Sequence, residues 1–409
     1  MTDHERVTTR GLGRALLARQ HLLDRTAGPA VGVVEHLVAL QSQNPPSAYL
    51  ALHARVAGFA HDDLADAMTD RRVGRLALLR DTVHLATADD VLALWPVLVP
   101  LFRRNLAGHA TAGPALRAID LDDLARAARD ALADGPLTAG ALGDRLAATW
   151  PDVDPRALAQ GARGLLPLVQ VTPRGVWGRS MATTWTTAET WFGRTPADAQ
   201  AGPLTAADPD DVLADLARRY LAAYGPATVA DLQRWCGLTR LGAVVDRLRP
   251  ELVEVEHVDP RTSSGDLPPS GARGRARVLL DLPDAPRPPE DTPAPVRLLP
   301  DYDDVLLGHD DRSRIVPAAA RPALASPNGV PPAAVLVDGV VAGTWALRRE
   351  ALPRLAGAPR TRRERAHLTL TPLRPWSRAE RAAAVAEAEV LARFVADDAA
   401  EHAVQVATP

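Results

Sequence analysis

Two glutamines separated by one serine, Gln41-Ser42-Gln43, follow an apolar run and precede Asn44-Pro45-Pro46. A primary amide donates and accepts hydrogen bonds but is no strong base. Two amides side by side can hold and aim a water or another polar group. Their geometry depends on the backbone. In an α-helix, residues two apart point ~200° away from each other; in extended chain they point the same way. Pro45 pushes Asn44 out of the helical region, and Pro46 does the same to Pro45. A helix read over about 30–40 is therefore expected to end near Leu40, leaving the glutamines extended and paired. The spacing alone suits an ordinary polar turn at least as well.

Composition narrows the chemistry. The chain has 409 residues, 46% hydrophobic and 24% charged, enough for several domains. It contains no run of about 18 apolar residues, and its start lacks an apolar signal core, so a cytoplasmic protein without a membrane span is expected. The single cysteine, Cys236, leaves no disulfide within the chain and no Cys-based zinc or iron–sulfur site. All 47 basic side chains are arginines. No lysine is present to form a Schiff base or to hold a phosphate in a P-loop. A net charge of −3 means that nucleic-acid binding would require arginines gathered on one face.

The elements that must position the glutamines come in repeats. Residues 122–150 and 209–238 each read as an amphipathic helix, a Gly-Pro-x-Thr break and a second helix. Gly135-Pro136-Leu137-Thr138 answers Gly225-Pro226-Ala227-Thr228, with the threonine as N-cap. A third helix and a hairpin or strand follow each, the winged-helix order. The N-terminal stretch reads as a further copy. Its helices fall at about 9–21, 30–40 and 47–58, and two strands over 71–87 are joined near Arg80-Asp81. The glutamines then lie in the turn between its second and third helices. Beyond about 260 come Pro/Gly/Ser-rich segments, a hairpin around Asp338-Gly339, a strand at 365–373 and a closing helix capped by Ser377. The expected fold is α+β. Winged-helix units span 1–110, 111–200 and 201–262, with a β-containing C-terminal α/β domain over 263–409.

The stretch "HLVALQSQNPPSAYLALHARV" resembles the signature of AlkZ/YcaQ-type winged-helix DNA glycosylases. So do "LLRDTVHLATADD", "GPLTAGALGDRL", "YGPATVADLQRWCGL", "PVRLLPDYDDVLLGHDDRSRIV" and "VLVDGVVAGTW", in order along nearly the whole chain. The resemblance implies that Gln41 and Gln43 carry catalysis, as in the Gln-x-Gln, AlkZ-like branch; the YcaQ-like branch has an acid at the second place. Many relatives follow the motif with Asp where this chain has Asn44. An N7-alkylated guanine is already cationic, so its departure needs little acid assistance, and two amides could direct a water at the sugar C1′. Forgoing a general base costs roughly 10²–10⁴ in rate, tolerable only for a labile bond.

Other residues carry two readings each. His84, matching a histidine common in the family, either contacts the lesion strand, buttresses the glutamine loop or is structural. Asn44, Tyr49 and His53 are candidate DNA or lesion contacts; the other reading is core packing for Tyr49, and packing or a solvent-facing place for His53. Arg312 and Arg314, and the basic run 359–367, could clamp phosphates or form a solvated face. Asp301, Asp303 and Asp304 form an acidic cluster whose spacing matches no trusted metal pattern, and no metal or cofactor is expected. The reading is a monofunctional, monomeric DNA glycosylase for bulky or crosslinking N7-alkylpurines in double-stranded DNA, tied to repair and to resistance against alkylating antibiotics. The alternative is a non-catalytic winged-helix regulator.

Overall fold

A computed structural model describes residues 5–194, 208–258, 277–326, 329–353 and 363–408. Most of the Pro/Gly/Ser-rich stretch at 259–277 and the first four residues of the basic run 359–367 lie outside the described residues.

The chain opens with β1 (Glu5–Thr8) and α1 (Thr9–Arg19), the latter capped by the Thr8 hydroxyl. A helix, strand, helix, helix, hairpin series follows: α2 (Ala30–His36), β2 (Leu40–Gln41), α3 (Pro45–Arg55), α4 (His61–Thr69), β3 (Val73–Ala77) and β4 (Val83–Thr87). The long α5 (Ala88–Ala107) and the short α6 (Ala112–Ala115) lead to the second series. It comprises α7 (Leu121–Ala133), β5 (Leu137–Thr138), α8 (Ala139–Ala147), α9 (Pro155–Leu165), β6 (Leu168–Gln170) and β7 (Thr184–Thr187), and α10 (Ala188–Phe192) follows it. The third has α11 (Pro209–Tyr224), α12 (Val229–Cys236), α13 (Gly242–Leu248), β8 (Val253–Val258) and β9 (Arg277–Asp281). A mixed C-terminal part contains β10 (Arg297–Leu299), α14 (Asp304–Leu307), β11 (Ala333–Val337), β12 (Val340–Ala351), β13 (Glu364–Pro372), α15 (Arg378–Val395) and β14 (Glu401–Val406). The fold is α+β.

The threonine caps form as the Gly-Pro-x-Thr repeat predicts. Thr138 accepts from Ala141 N–H, and Thr228 from Asp231 N–H. The N-terminal copy differs from expectation. Its three helices are α2, α3 and α4, and α2 ends at His36 rather than near Leu40. The helix at 9–19 belongs elsewhere: β1 pairs in parallel with β8, and α1 packs on α11. Gln41-Ser42-Gln43 therefore lies between the first and second helices of its series, where β5 and Thr138 stand in the next. In that second series the last strand residue is itself the helix cap. In the first, Ser42 and Gln43 are interposed between Gln41 and the cap residue Asn44. The extra residues create a turn that buries Gln41 and Ser42 and exposes Gln43 and Asn44.

The first two series share one six-stranded sheet in the order β2-β4-β3-β6-β7-β5. The other sheets are β1-β8-β9 and β10-β11-β12-β13-β14. One apolar cluster runs from Leu16 and Leu52 through Tyr220 and Trp235 to Leu336, joining the first and third series to the C-terminal part. The second series has its own cluster around Leu124 and Leu158.

A buried ion pair staples α1 to the third series. Arg19 donates to both oxygens of Asp281 at 2.7 and 2.8 Å and to Leu221 O at 2.8 Å, with both side chains 0% exposed. Replacing Arg19 by Met leaves Asp281 charged and buried with only Arg287 opposite it. The expected loss in unfolding free energy, read from urea denaturation midpoints at pH 7, is about 3–5 kcal/mol.

Candidate active site

Backbone pairing aims the motif. Gln41 lies opposite His84 on β4, and Leu40 opposite Leu85. Side chains alternate along a strand, so Ser42 turns to the face of Arg75. Arg75 donates to Ser42 Oγ at 3.0 Å and to Ser42 O at 2.7 Å, and to Gln170 Oε1 at 2.9 Å. Burial, helped by the nearby Arg174 charge, pulls Arg75 down to about 10. Ser42, fully buried, is the anchor; Gln43 is exposed and Gln41 is 6% exposed.

Both amide oxygens are taken by the turn that joins β3 to β4. Arg80 Nη2 donates to Gln41 Oε1 at 2.5 Å, and Val83 N–H donates to Gln43 Oε1 at 3.3 Å. Arginine and a backbone N–H carry only donors here, so they fix the sense of each amide. Among the described residues neither Nε2H₂ group has a hydrogen-bond partner, which leaves both for a ligand or a water.

The turn itself is strained. Thr82 N–H bonds Leu79 O at 3.1 Å, and the two central residues, Arg80 and Asp81, have φ of 55° and 60°. That is the geometry of a type I′ hairpin turn, which favours Asn-Gly. Two non-glycine residues there cost on the order of 1–2 kcal/mol each. Side-chain contacts offset the cost. Arg80 donates to Trp235 O as well as to Gln41, and Asp81 pairs with Arg163 at 3.3 Å. Gly237, at φ 83°, lets α12 end against the turn: a Cβ there would stand 2.9 Å from Arg80 Cα.

The acidic cluster closes round the motif from the C-terminal part, and its three carboxylates go to three different partners. Asp301 accepts from Asn44 Nδ2 and from Ser47 Oγ. Asp303 forms a bidentate pair with Arg55 of α3 at 2.7 and 2.8 Å, both 0% exposed. Asp304 Oδ2 accepts the Gln41 N–H at 3.0 Å, and its Oδ1 is buried 3.7 Å from Arg80 Nη2 without a hydrogen bond. Burial pushes Asp304 up to about 6, against the pull of Arg80 and the Gln41 N–H. Among the described residues no three His, Cys, Asp or Glu side chains converge as metal ligands.

A family profile described as DNA glycosylase AlkZ-like matches residues 34–394. The chain belongs to the AlkZ-like DNA glycosylase family. It is thus a hydrolase of N-glycosidic bonds whose substrate is DNA. The structure is similar to that of DNA glycosylase AlkZ from Streptomyces sahachiroi, with a TM-score of 0.74 at 21% identity, covering 98% of this chain and 100% of that one. No curated protein sequence matches the chain.

The other residues singled out in the sequence of this AlkZ-like glycosylase separate by burial. His84 is 0% exposed. Its Nδ1 lies 2.8 Å from Thr82 O, and its Nε2 is buried without a partner. Burial, then the Arg80 charge, lowers its pKa to about 3, so the ring is neutral at physiological pH. It stands beside Gln41 under the turn and has no surface for a DNA strand. Asn44 is exposed at the head of α3, its amide held by Asp301 rather than capping the helix. Tyr49 is 1% exposed. Its hydroxyl accepts the Trp177 N–H at 3.1 Å, so the ring fills the core and cannot stack on a base. His53 packs its ring 4.5 Å from Phe394, and burial lowers its pKa to about 4, which makes it a neutral packing residue. Arg314 is 4% exposed and donates to Pro226 O at 2.8 Å, so it is no phosphate clamp. Arg312 is exposed; burial of part of its length, then the like charges of Arg234 and Arg321, lower its pKa. Arg80 and Arg75, which touch the motif directly, stand out by nothing in the sequence except their place in a hairpin.

Asp304 makes stability depend on pH. An acid whose pKa rises from 3.8 to about 6 on folding keeps its proton longer in the folded state than in the unfolded chain. Its contribution is full below about pH 4 and is lost as pH rises to about 6. The unfolding free energy of the wild type minus that of Asp304→Asn should therefore fall between about pH 4 and 6 and stay level above it. Urea titrations of both proteins across pH 4–8 measure the difference.

Proposed function

We propose that this glycosylase is monofunctional and excises bulky or crosslinking N7-alkylated purines, with Gln41 and Gln43 as its catalytic residues. The observation that carries the reading is the pair of amides on one turn, each with its oxygen held and its NH₂ free. Of the two nearest carboxylates, Asp301 takes hydrogen bonds from Asn44 and Ser47, and Asp304 is buried with one oxygen on the Gln41 N–H. A site built on neutral amides suits a leaving group that already carries positive charge. Such a base departs with little help, leaving an oxocarbenium-like sugar for water to capture.

The amides divide the handling of that water. If both donated N–H bonds, both lone pairs of the water would be consumed. Gln41, held at 2.5 Å by Arg80, is the fixed donor. Gln43, exposed and held only at 3.3 Å, can accept a water proton on its second oxygen lone pair. One water lone pair then remains for C1′. Positioning of this kind can supply several kcal/mol. It discriminates against normal nucleosides, whose neutral bases leave too slowly without acid–base assistance.

Two surface features support a large lesion on duplex DNA. A groove of about 540 Å³ begins at Pro45 and Pro46, immediately after the motif, and continues along Trp177 and Arg179 to Arg349. That volume is in the range that takes a sizeable organic group, so an adduct could lie outside a tight base pocket. Arg312, with the like charges of Arg234 and Arg321 near it, is one of three exposed arginines that suit phosphates. The absence of lysine from the chain supports hydrolysis to an abasic site without an imine intermediate.

The test uses duplex DNA carrying one N7-alkylguanine, followed by alkaline cleavage of abasic sites. Wild type should give strand breaks, and Gln41→Ala and Gln43→Ala should each lower the single-turnover rate by about 100-fold or more. Borohydride should trap no protein–DNA adduct. Binding without base release by the wild type would overturn the proposal.

A further inference from the structure

We infer that Arg80, backed by the buried Asp304, is a positioning residue that acts through Gln41, fixing which end of the amide faces the DNA. The inference rests on the catalytic reading of Gln41 given above and concerns how that residue is set.

Three independent observations point to it. The first is the contact set. Arg80 Nη2 is 2.5 Å from Gln41 Oε1 and 3.7 Å from Asp304 Oδ1, while Asp304 Oδ2 takes the Gln41 backbone N–H at 3.0 Å. Backbone and side chain of Gln41 are thus held by two groups of opposite charge that also face each other. The second is the backbone. Arg80 and Asp81 keep left-handed φ values of 55° and 60° in a turn that favours Asn-Gly, and Gly237 leaves the room that this turn requires. A strained non-glycine residue at a site is expected where its side chain has work to do. The third is the unpartnered oxygen. Asp304 Oδ1 is buried, has no hydrogen bond and lies toward the guanidinium. A short movement of Arg80 would close that pair, so Arg80 is held between Asp304 and Gln41.

The consequence is chemical. A free glutamine amide can rotate by about 180° and present either C=O or NH₂, since the two ends have nearly the same shape. Arginine has no acceptor, so Arg80 admits only the carbonyl end. Gln41 is then set as a donor before DNA arrives, and no reorganisation is needed at the moment of reaction. Asp304 keeps Arg80 from leaving and compensates the guanidinium charge next to a cationic lesion. The charged and titratable groups facing Asp304 are Arg80, Arg55, Asp303 and Tyr224.

The experiment measures single-turnover excision of N7-methylguanine from a duplex, with the Kd for the same duplex. Arg80→Met keeps length and removes every donor. Its rate constant should fall by about 30- to 100-fold with Kd within about twofold, and Arg80→Lys should restore part of the loss. The deciding measurement is the double variant. If Arg80 acts through Gln41, then Gln41→Ala with Arg80→Met is no slower than Gln41→Ala alone. An Arg80→Met rate within about threefold of wild type overturns the inference. So does a double variant slowed by the product of the two single effects. Should Arg80→Met fail to fold, Arg80→Lys and Asp304→Asn carry the same cycle against Gln41→Ala. A wild type that releases no base would instead sink the catalytic reading, an outcome these variants cannot mimic.

Discussion

Asp301, Asp303 and Asp304 belong to the C-terminal part, yet each holds a residue of the Gln41–Arg55 stretch, some 250 positions earlier in the chain. The buried Arg55–Asp303 pair is the strongest of these ties. It locks α3, the helix that begins directly after the motif, to the loop that carries the other two acids. An ion pair with both partners fully enclosed is no great source of net stability, because desolvation consumes most of the Coulombic gain. Its value lies in specificity. Separating the partners would strand a charge in the core, so α3 and the acidic loop have one relative position. The motif inherits that position at its Gln41 end through Asp304 and at its Asn44 end through Asp301.

On the opposite side the motif meets a strained hairpin turn. Arg80 reaches from the first helical series to the end of α12 in the third, so the amide of Gln41 lies where three separate stretches of chain converge. Arg75 supports the same segment from beneath by gripping Ser42, and among the described residues no carboxylate bonds to it. Two guanidiniums thus hold the segment, Arg80 at the Gln41 amide and Arg75 at Ser42. Neutral amides are a coherent choice at the tip. A carboxylate in place of Gln41 would pair with Arg80 and lose both its basicity and its freedom.

The repeat was readable in the sequence because capping is local. A threonine after Gly-Pro needs only the N–H groups of its own helix, and both Thr138 and Thr228 cap as their spacing implies. The hairpin at Arg80-Asp81 was readable for the same reason, from two runs of apolar alternation about a polar pair. The first series was misread by one helix. The sequence of α1 is as helical as that of α2, and only the pairing of β1 with β8 and the Arg19–Asp281 contact assign it to the third series. For Tyr49 and His53 residue type leaves contact and packing both open, and for Arg314 it suggests a phosphate clamp; partners remote in sequence, Trp177, Phe394 and Pro226, decide for packing.

By itself the sequence determined the α+β class, the repeated helical series, the lack of any lysine nucleophile and the paired amides of a Gln-x-Gln motif. These depend on composition and on interactions spanning a few residues. Only the tertiary structure decided that the motif is a strand with an inserted turn, that Arg80 and Asp304 hold it, and that the acidic cluster is spent on three separate contacts. Those outcomes depend on which distant groups meet in a water-excluded interior, where leaving a charge unpaired or a hydrogen bond unmade is costly.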